Sequence, residues 1–225
     1  MNRTEKRFEN AVISKTFRKI VSTFELGHKE VLDLGCGFGE HLSLFGDGSI
    51  GVTTNMKEVN EGKDRGLSII YGNIEELEKL HIKDSFDIIW ANNFFEHILS
   101  PHAFLAKLRG VAGSDTKLIL GVPVIPPLQS LLIFSKFRGA LASNHINFFN
   151  RKTLLLTVLR AGWHINDVRP FISGFAPLDR FLGLFAPHLY IVARKNESFL
   201  YPEKKLQEWK GVDYYASFLK DTGQL

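Results

Sequence analysis

The densest chemical signal in this chain is Val31-Leu32-Asp33-Leu34-Gly35-Cys36-Gly37-Phe38-Gly39-Glu40. A short apolar strand, Glu30 to Leu34, runs into three alternating glycines and then into residues that read as the start of a helix, Glu40 to Phe45. Glycines at such a junction let the backbone approach a ligand closely, and a helix start offers unpaired N–H groups. Asp33 is the acidic group placed to anchor what binds there. The spacing also excludes ligand classes. A G-x-G-x-x-G/A dinucleotide fingerprint needs a small residue at position 40, where Glu40 would oppose a pyrophosphate. No Gly-Lys-Ser/Thr follows, so a P-loop is excluded. Cys36 is the single cysteine, which rules out an intrachain disulfide and a multi-cysteine metal cluster.

The loop needs a framework to hold it. Phe8, Val12, Ile13, Phe17, Ile20, Val21 and Phe24 recur at helical spacing, so the chain opens with an amphipathic helix. Strands are expected at Glu30–Leu34, Ser49–Thr53, Leu67–Tyr71, Phe86–Ala91 and Lys117–Val122. Helical segments alternate with them at Met56–Arg65, Ile74–Leu80 and Phe94–Leu108, which argues for a parallel sheet covered on both faces. A helix over Arg151–Ala161, closed by Gly162, precedes two more strands, Trp163–Phe171 and Leu189–Arg194, separated by an apolar loop. The tail from Tyr201 to Lys220 reads as helical.

Composition adds limits. Of 225 residues, 44% are hydrophobic and 23% charged, enough for one domain with a sizeable core. Formal net charge is +4 without a dense Lys/Arg block, which speaks against a nucleic-acid arm. The N-terminus does not read as a signal peptide, and a lone cysteine suits a reducing cytoplasm. The uncharged stretch Leu118–Ser135 is interrupted by Pro123, Pro126 and Pro127, so it is not expected to span a membrane.

Asp33-x-Gly35-x-Gly37-x-Gly39 resembles the first motif of class I S-adenosylmethionine (SAM)-dependent methyltransferases. Three further segments fall in the order of that family. Tyr71-Gly72-Asn73-Ile74 resembles the turn after strand three, where the family has Gly-Asp and contacts adenine. Ser85-Phe86-Asp87 through Glu96-His97-Ile98 resembles the strand-four segment. Asn144-His145-Ile146-Asn147-Phe148-Phe149 resembles the small-molecule branch. The resemblance covers about Glu30 to Lys195. It implies an α/β, Rossmann-like three-layer sandwich with a mostly parallel seven-stranded sheet and an antiparallel last strand. The domain then spans residues 1–195 with apolar lids at 125–149 and 171–187, and residues 196–225 form a helical tail.

The resemblance also implies a cofactor site made of Asp33, Gly35, Cys36, Gly37, Gly39, Thr53, Thr54, Asn55, Asn73, Ile74, Ala91 and Asn92, with S-adenosylhomocysteine as product and no metal. The family ends strand two with an acid that holds the ribose hydroxyls; here Val52-Thr53-Thr54-Asn55 stands there, so neutral hydrogen bonds replace it. Asn73 similarly replaces an aspartate near the adenine. His97 and His145 are expected on the acceptor side as general bases for a hydroxyl. The expected activity is methyl transfer to a small-molecule or glycan-like acceptor at oxygen. Asn92-Asn93-Phe94-Phe95 lacks the prolines of an adenine or glutamine amino-methylating element. Two other classes stay open: a non-catalytic scaffold, suggested by the lost acids, and a nucleic-acid methyltransferase. The apolar lids leave room for an oligomer contact or, with Lys136, Arg138 and Arg180, a peripheral membrane surface.

Overall fold

The computed structural model describes residues 3–80, 82 and 85–223. Seven strands, β1 (Val31–Leu34), β2 (Ile50–Thr53), β3 (Ile69–Tyr71), β4 (Ile88–Asn92), β5 (Lys117–Pro123), β6 (Trp163–Arg169) and β7 (His188–Lys195), form one sheet in the order β3-β2-β1-β4-β5-β7-β6. The first five pair in parallel, and β7 runs antiparallel between β5 and β6. This is the expected Rossmann-like arrangement with the antiparallel last strand.

Period-two alternation divides the strand residues between two faces. Leu32, Leu34, Ile89, Ala91, Leu118, Leu120 and Val122 point into a core with Phe104, Leu105 and Leu108 of α4 (Pro101–Leu108) and Leu154 and Val158 of α5 (Arg151–Arg160). Val31, Ile88, Trp90 and Ile119 point the other way, onto Phe17 and Ile20 of α2 (Lys15–Phe24). Trp90 is fully buried there among Phe17, His41, Phe45 and Tyr190. Helices therefore cover both faces of the sheet.

Four expectations are corrected. The opening helix is two, α1 (Arg3–Ile13) and α2, because Ser14 leaves helical geometry and its Oγ accepts the Phe17 N–H at 3.3 Å as an N-cap. The helix expected from Glu40 to Phe45 is only a 3-10 turn at Leu42–Leu44. Leu42 has to reach the cluster of Cys36, Val59 and Ile69, and Gly46 is bonded back to Leu26 and Lys29. The expected Phe94–Leu108 helix is a 3-10 turn (Phe95–His97) followed by α4, since Pro101 takes a helix-start position and lacks the N–H to continue an earlier helix. The apolar loop after β6 holds a helix, α6 (Ala176–Leu182).

α3 (Met56–Asp64) follows β2. The tail is helical in two pieces, α7 (Glu203–Trp209) and α8 (Asp213–Asp221), and Tyr201, Phe218 and Leu219 pack on Ala106 of α4, away from the strand ends. Among the described residues, no helix is long and apolar enough to cross a membrane.

Candidate active site

The strand order reverses between β1 and β4, which opens a crevice at their carboxyl ends. Gly35 leaves β1 with φ +72°, and a Cβ there would lie 2.8 Å from the Phe94 ring that follows β4. Only glycine fits both the backbone and the neighbour. Between these two loops lies a cavity of about 290 Å³ lined by Gly35, Thr53, Thr54, Asn73, Ile74, Glu75, Phe94, His97 and Ile98. Gly35, Thr53, Thr54, Asn73, Ile74 and His97 were all expected at the site, and the fold brings them together across four loops.

Other expected residues do not line that cavity. Asp33 and Ala91 lie in the sheet, 2% and 0% exposed. The Cys36 side chain packs with Leu42, Val59 and Ile69, so only its backbone belongs to the loop, and its amide already donates to Val52 O. Burial, the largest cause, together with the charges of Asp33, Glu58 and Glu40, pushes its thiol far up, which suits a packing role. Gly37 lies under Arg7 and Glu40, and Gly39 lies against Leu67 and Ile69. Asn92 Oδ1 is buried without a hydrogen-bond partner among the described residues.

The acids fit a cationic cofactor. Asp33 Oδ2 and Glu40 Oε2 are buried with no hydrogen-bond partner among the described residues. Burial, and secondarily the Glu40 charge, raises the Asp33 pKa well above its ordinary value. Arg7 of α1 reaches over the loop to Glu40 Oε1, at 2.8 Å from Nε and 2.5 Å from Nη2. An unpartnered buried carboxylate beneath a glycine loop is what a sulfonium with a free ammonium group would complement.

The end of β2 is less neutral than its sequence. Thr53 Oγ1 donates to Glu58 Oε2 at 2.5 Å, so α3 returns a carboxylate to the position the strand lacks. The two asparagines are otherwise engaged. Asn55 Oδ1 accepts the Lys57 N–H and Asn73 Oδ1 accepts the Glu75 N–H, each at 3.0 Å, so both cap helical turns.

At the end of β4, Glu96, His97 and His145 meet. Glu96 is 1% exposed, with Oε1 3.7 Å from His145 Nε2 and 4.0 Å from His97 Nε2. Burial raises its pKa, against the opposing influence of its backbone hydrogen bond and the two histidines. The 145 loop is tied to this turn by the Ile146 and Asn147 amides, which donate to Glu96 O at 3.1 and 3.0 Å. The structure adds His188 as well, whose Nε2 lies 3.0 Å from Asn93 Oδ1. Sequence reasoning missed Glu96, Glu58 and His188. Glu96 was visible beside His97, whereas Glu58 and His188 carried no signal before the chain folded.

The apolar segments 125–149 and 171–187, expected as lids, follow β5 and precede β7 at this end of the sheet. Phe134 and Phe181 are 61% and 60% exposed. A second cavity of about 630 Å³ lies between them and α5, lined by Ile125, Pro126, Pro127, Leu155, Leu184, Phe185 and polar residues including Arg151.

A mostly parallel seven-stranded sheet with an antiparallel β7, a glycine loop at the switch point and buried acids beneath it define a SAM-binding methyltransferase fold. A family model described as a methyltransferase domain matches residues 6–168, and the chain belongs to that family. The chain is 27% identical over 128 residues to a tRNA U34 carboxymethyltransferase of Hydrogenovibrio crunogenus; the alignment covers 52% of this chain and 39% of that protein. A SAM-dependent methyltransferase from Archaeoglobus fulgidus superposes with TM-score 0.57 at 20% identity, covering 86% of this chain and all of that one (100%). A chain from the Haloferax volcanii complex of the Trm112 methyltransferase activator with a methyltransferase gives TM-score 0.61 at 14% identity, over 87% and 95% of the two chains. At these identities the structural likeness concerns the fold alone.

Proposed function

We propose that this chain transfers the methyl group of SAM to an oxygen of a small-molecule or glycan-like acceptor seated below the two lids. One observation carries the reading. His97 lines the cavity assigned to the cofactor and shares the Glu96 carboxylate with His145, so a proton-accepting cluster borders the place where the acceptor must sit.

Bound SAM supplies an electrophilic methyl on a positively charged sulfur. Gly35, Gly37 and Gly39 let the backbone come close to it, Asp33 offers the buried negative charge, and Thr53 with Glu58 receives the ribose hydroxyls. Thr54, Asn55, Asn73 and Ile74 border the adenine side, with Cys36, Ala91 and Asn92 as backbone and floor. The acceptor hydroxyl gives its proton to an Nε2 of the histidine pair, and Glu96 balances the charge that results. Much of the rate comes from holding donor and acceptor in line, on the order of 7–11 kcal/mol in well-oriented cases. Arg151 Nη1, buried without a partner among the described residues, suits a polar or anionic group on an otherwise apolar acceptor. A cytoplasmic setting is part of this reading.

Calorimetric titration with SAM and S-adenosylhomocysteine, with Asp33→Ala as control, tests the cofactor site. Radiolabel transfer to phenols, sugars and lipid-linked hydroxyls then tests the acceptor. Micromolar binding lost in Asp33→Ala supports the reading, and a folded protein that binds neither ligand overturns it.

A second reading, tRNA as acceptor, rests on the relative named for tRNA U34. Methylation of unfractionated tRNA, with binding that weakens steeply as salt rises, would favour it over a small acceptor.

A further inference from the structure

Glu96, His97 and His145 hold a geometry that a proton relay alone does not explain. His97 Nδ1 lies 3.1 Å from Asn144 O, and His145 Nδ1 lies 3.2 Å from Ala140 O. A carbonyl only accepts, so each Nδ1 carries the hydrogen and each neutral imidazole turns an Nε2 lone pair toward Glu96. Two lone pairs then face a carboxylate whose Oε2 is buried without a partner among the described residues. Such an arrangement repels unless something positive lies within it.

A proton or a metal ion would serve, and the distances separate them. A charge-assisted N–H···O bond closes to about 2.7–2.9 Å. An ion with bonds of about 2.0–2.2 Å instead holds its ligand atoms roughly 3–3.5 Å apart. The separations of 3.7 and 4.0 Å lie nearer the second spacing, and all three ligand atoms lie within 4.8 Å of one another, so the ligands would have to draw together around an ion. The backbone carbonyls on both Nδ1 atoms are the outer partners that metal-ligating histidines keep, fixing tautomer and ring orientation.

We infer that Glu96, His97 and His145 form a binding site for one divalent first-row transition ion, with coordination positions left open toward the acceptor. Two imidazoles and one carboxylate suit zinc, cobalt, manganese or iron(II) and disfavour calcium and magnesium, which take oxygen ligands. Methyl transfer from SAM needs no metal, and the family resemblance implied that none would be bound. The ion's role rests on the oxygen-acceptor reading: an acceptor hydroxyl coordinated to it would release its proton to solvent water near neutral pH, and the histidines would then serve as ligands in place of the base role given to them above. The site itself is measured without cofactor or acceptor, so failure of either idea shows separately.

The test uses the full chain, stripped with a chelator and titrated with Co²⁺ while its visible d–d absorption is recorded, followed by displacement with Zn²⁺. One equivalent binding in the micromolar range or tighter is expected. His145→Gln and Glu96→Gln should each weaken it at least about tenfold, while His28→Gln, an exposed histidine elsewhere, leaves it unchanged. Circular dichroism and S-adenosylhomocysteine binding check that the variants fold. If Glu96→Gln does not fold, His97→Gln decides, since its ring is 34% exposed and its loss disturbs little packing. Wild-type protein with no stoichiometric site, or variants that bind Co²⁺ as the wild type does, would overturn the inference.

Discussion

Thr53 Oγ1 donates a hydrogen bond to Glu58 Oε2, five residues along and on the first turn of α3. The end of β2 therefore carries a carboxylate that no inspection of Val52-Thr53-Thr54-Asn55 reveals. If this pair holds the ribose, Glu58→Gln should weaken SAM about tenfold, roughly the 1.4 kcal/mol of one charged hydrogen bond. Calorimetry at fixed salt reads this directly. Equal affinity in the variant would return Glu58 to a purely structural role.

Asp33 should show a conflict between stability and binding. Its raised folded-state pKa means the folded protein holds the proton longer than the unfolded chain does. Its contribution is thus fully present below the ordinary aspartate range and is lost as pH rises toward the raised value. Asp33→Asn removes a group whose ionisation opposes folding, so the variant should be at least as stable as the wild type at pH 7 while SAM affinity falls. Thermal melts with and without SAM check both halves.

His188 works in the opposite direction. Desolvation lowers its pKa to about 4, so the folded state keeps the ring neutral while the unfolded chain protonates it near 6.5. Stability from this group is present above pH 6.5 and is lost as pH falls toward 4, on the order of 2 kcal/mol by pH 4.5. Denaturant midpoints across that window should flatten in His188→Gln. A wild-type slope in the variant would assign the acid sensitivity elsewhere.

Asn150 links a helix cap to the site. Its side chain accepts the Thr153 N–H at 2.9 Å while Thr153 Oγ1 accepts the Asn150 N–H at 3.1 Å, a capping box at the start of α5. Asn150→Ala should cost about 1–2 kcal/mol. Because the 145 loop leads directly into this cap, amide exchange at Ile146 and Asn147 should quicken more than exchange in β4. Uniform change across the chain would mean that the cap and the histidine loop are not coupled.

Much was legible before folding because it depends on short-range rules. Strand positions followed from apolar runs, the glycine loop from three alternating glycines, and the β7 reversal from a resemblance spanning most of the chain. Helix lengths were overestimated at Glu40–Phe45 and Phe94–Leu108 because apolar periodicity does not register a packing demand on Leu42 or the force of Pro101 at a helix start. Asn55 and Asn73 were assigned to the ligand from their places in the family motifs, and local backbone N–H groups claimed their carbonyls first.

The sequence by itself determined the strand positions and the glycine loop, since periodicity and backbone permissiveness are properties of neighbouring residues, and the resemblance of its motifs to a known family supplied the class of cofactor. Only the tertiary structure decided which charges and lone pairs face one another. It brought Glu58 under Thr53, His188 against Asn93, and His145 to Glu96 across about fifty residues of chain. Coulomb and hydrogen-bond forces act through space, and no spacing along the chain records the distance at which a loop closes.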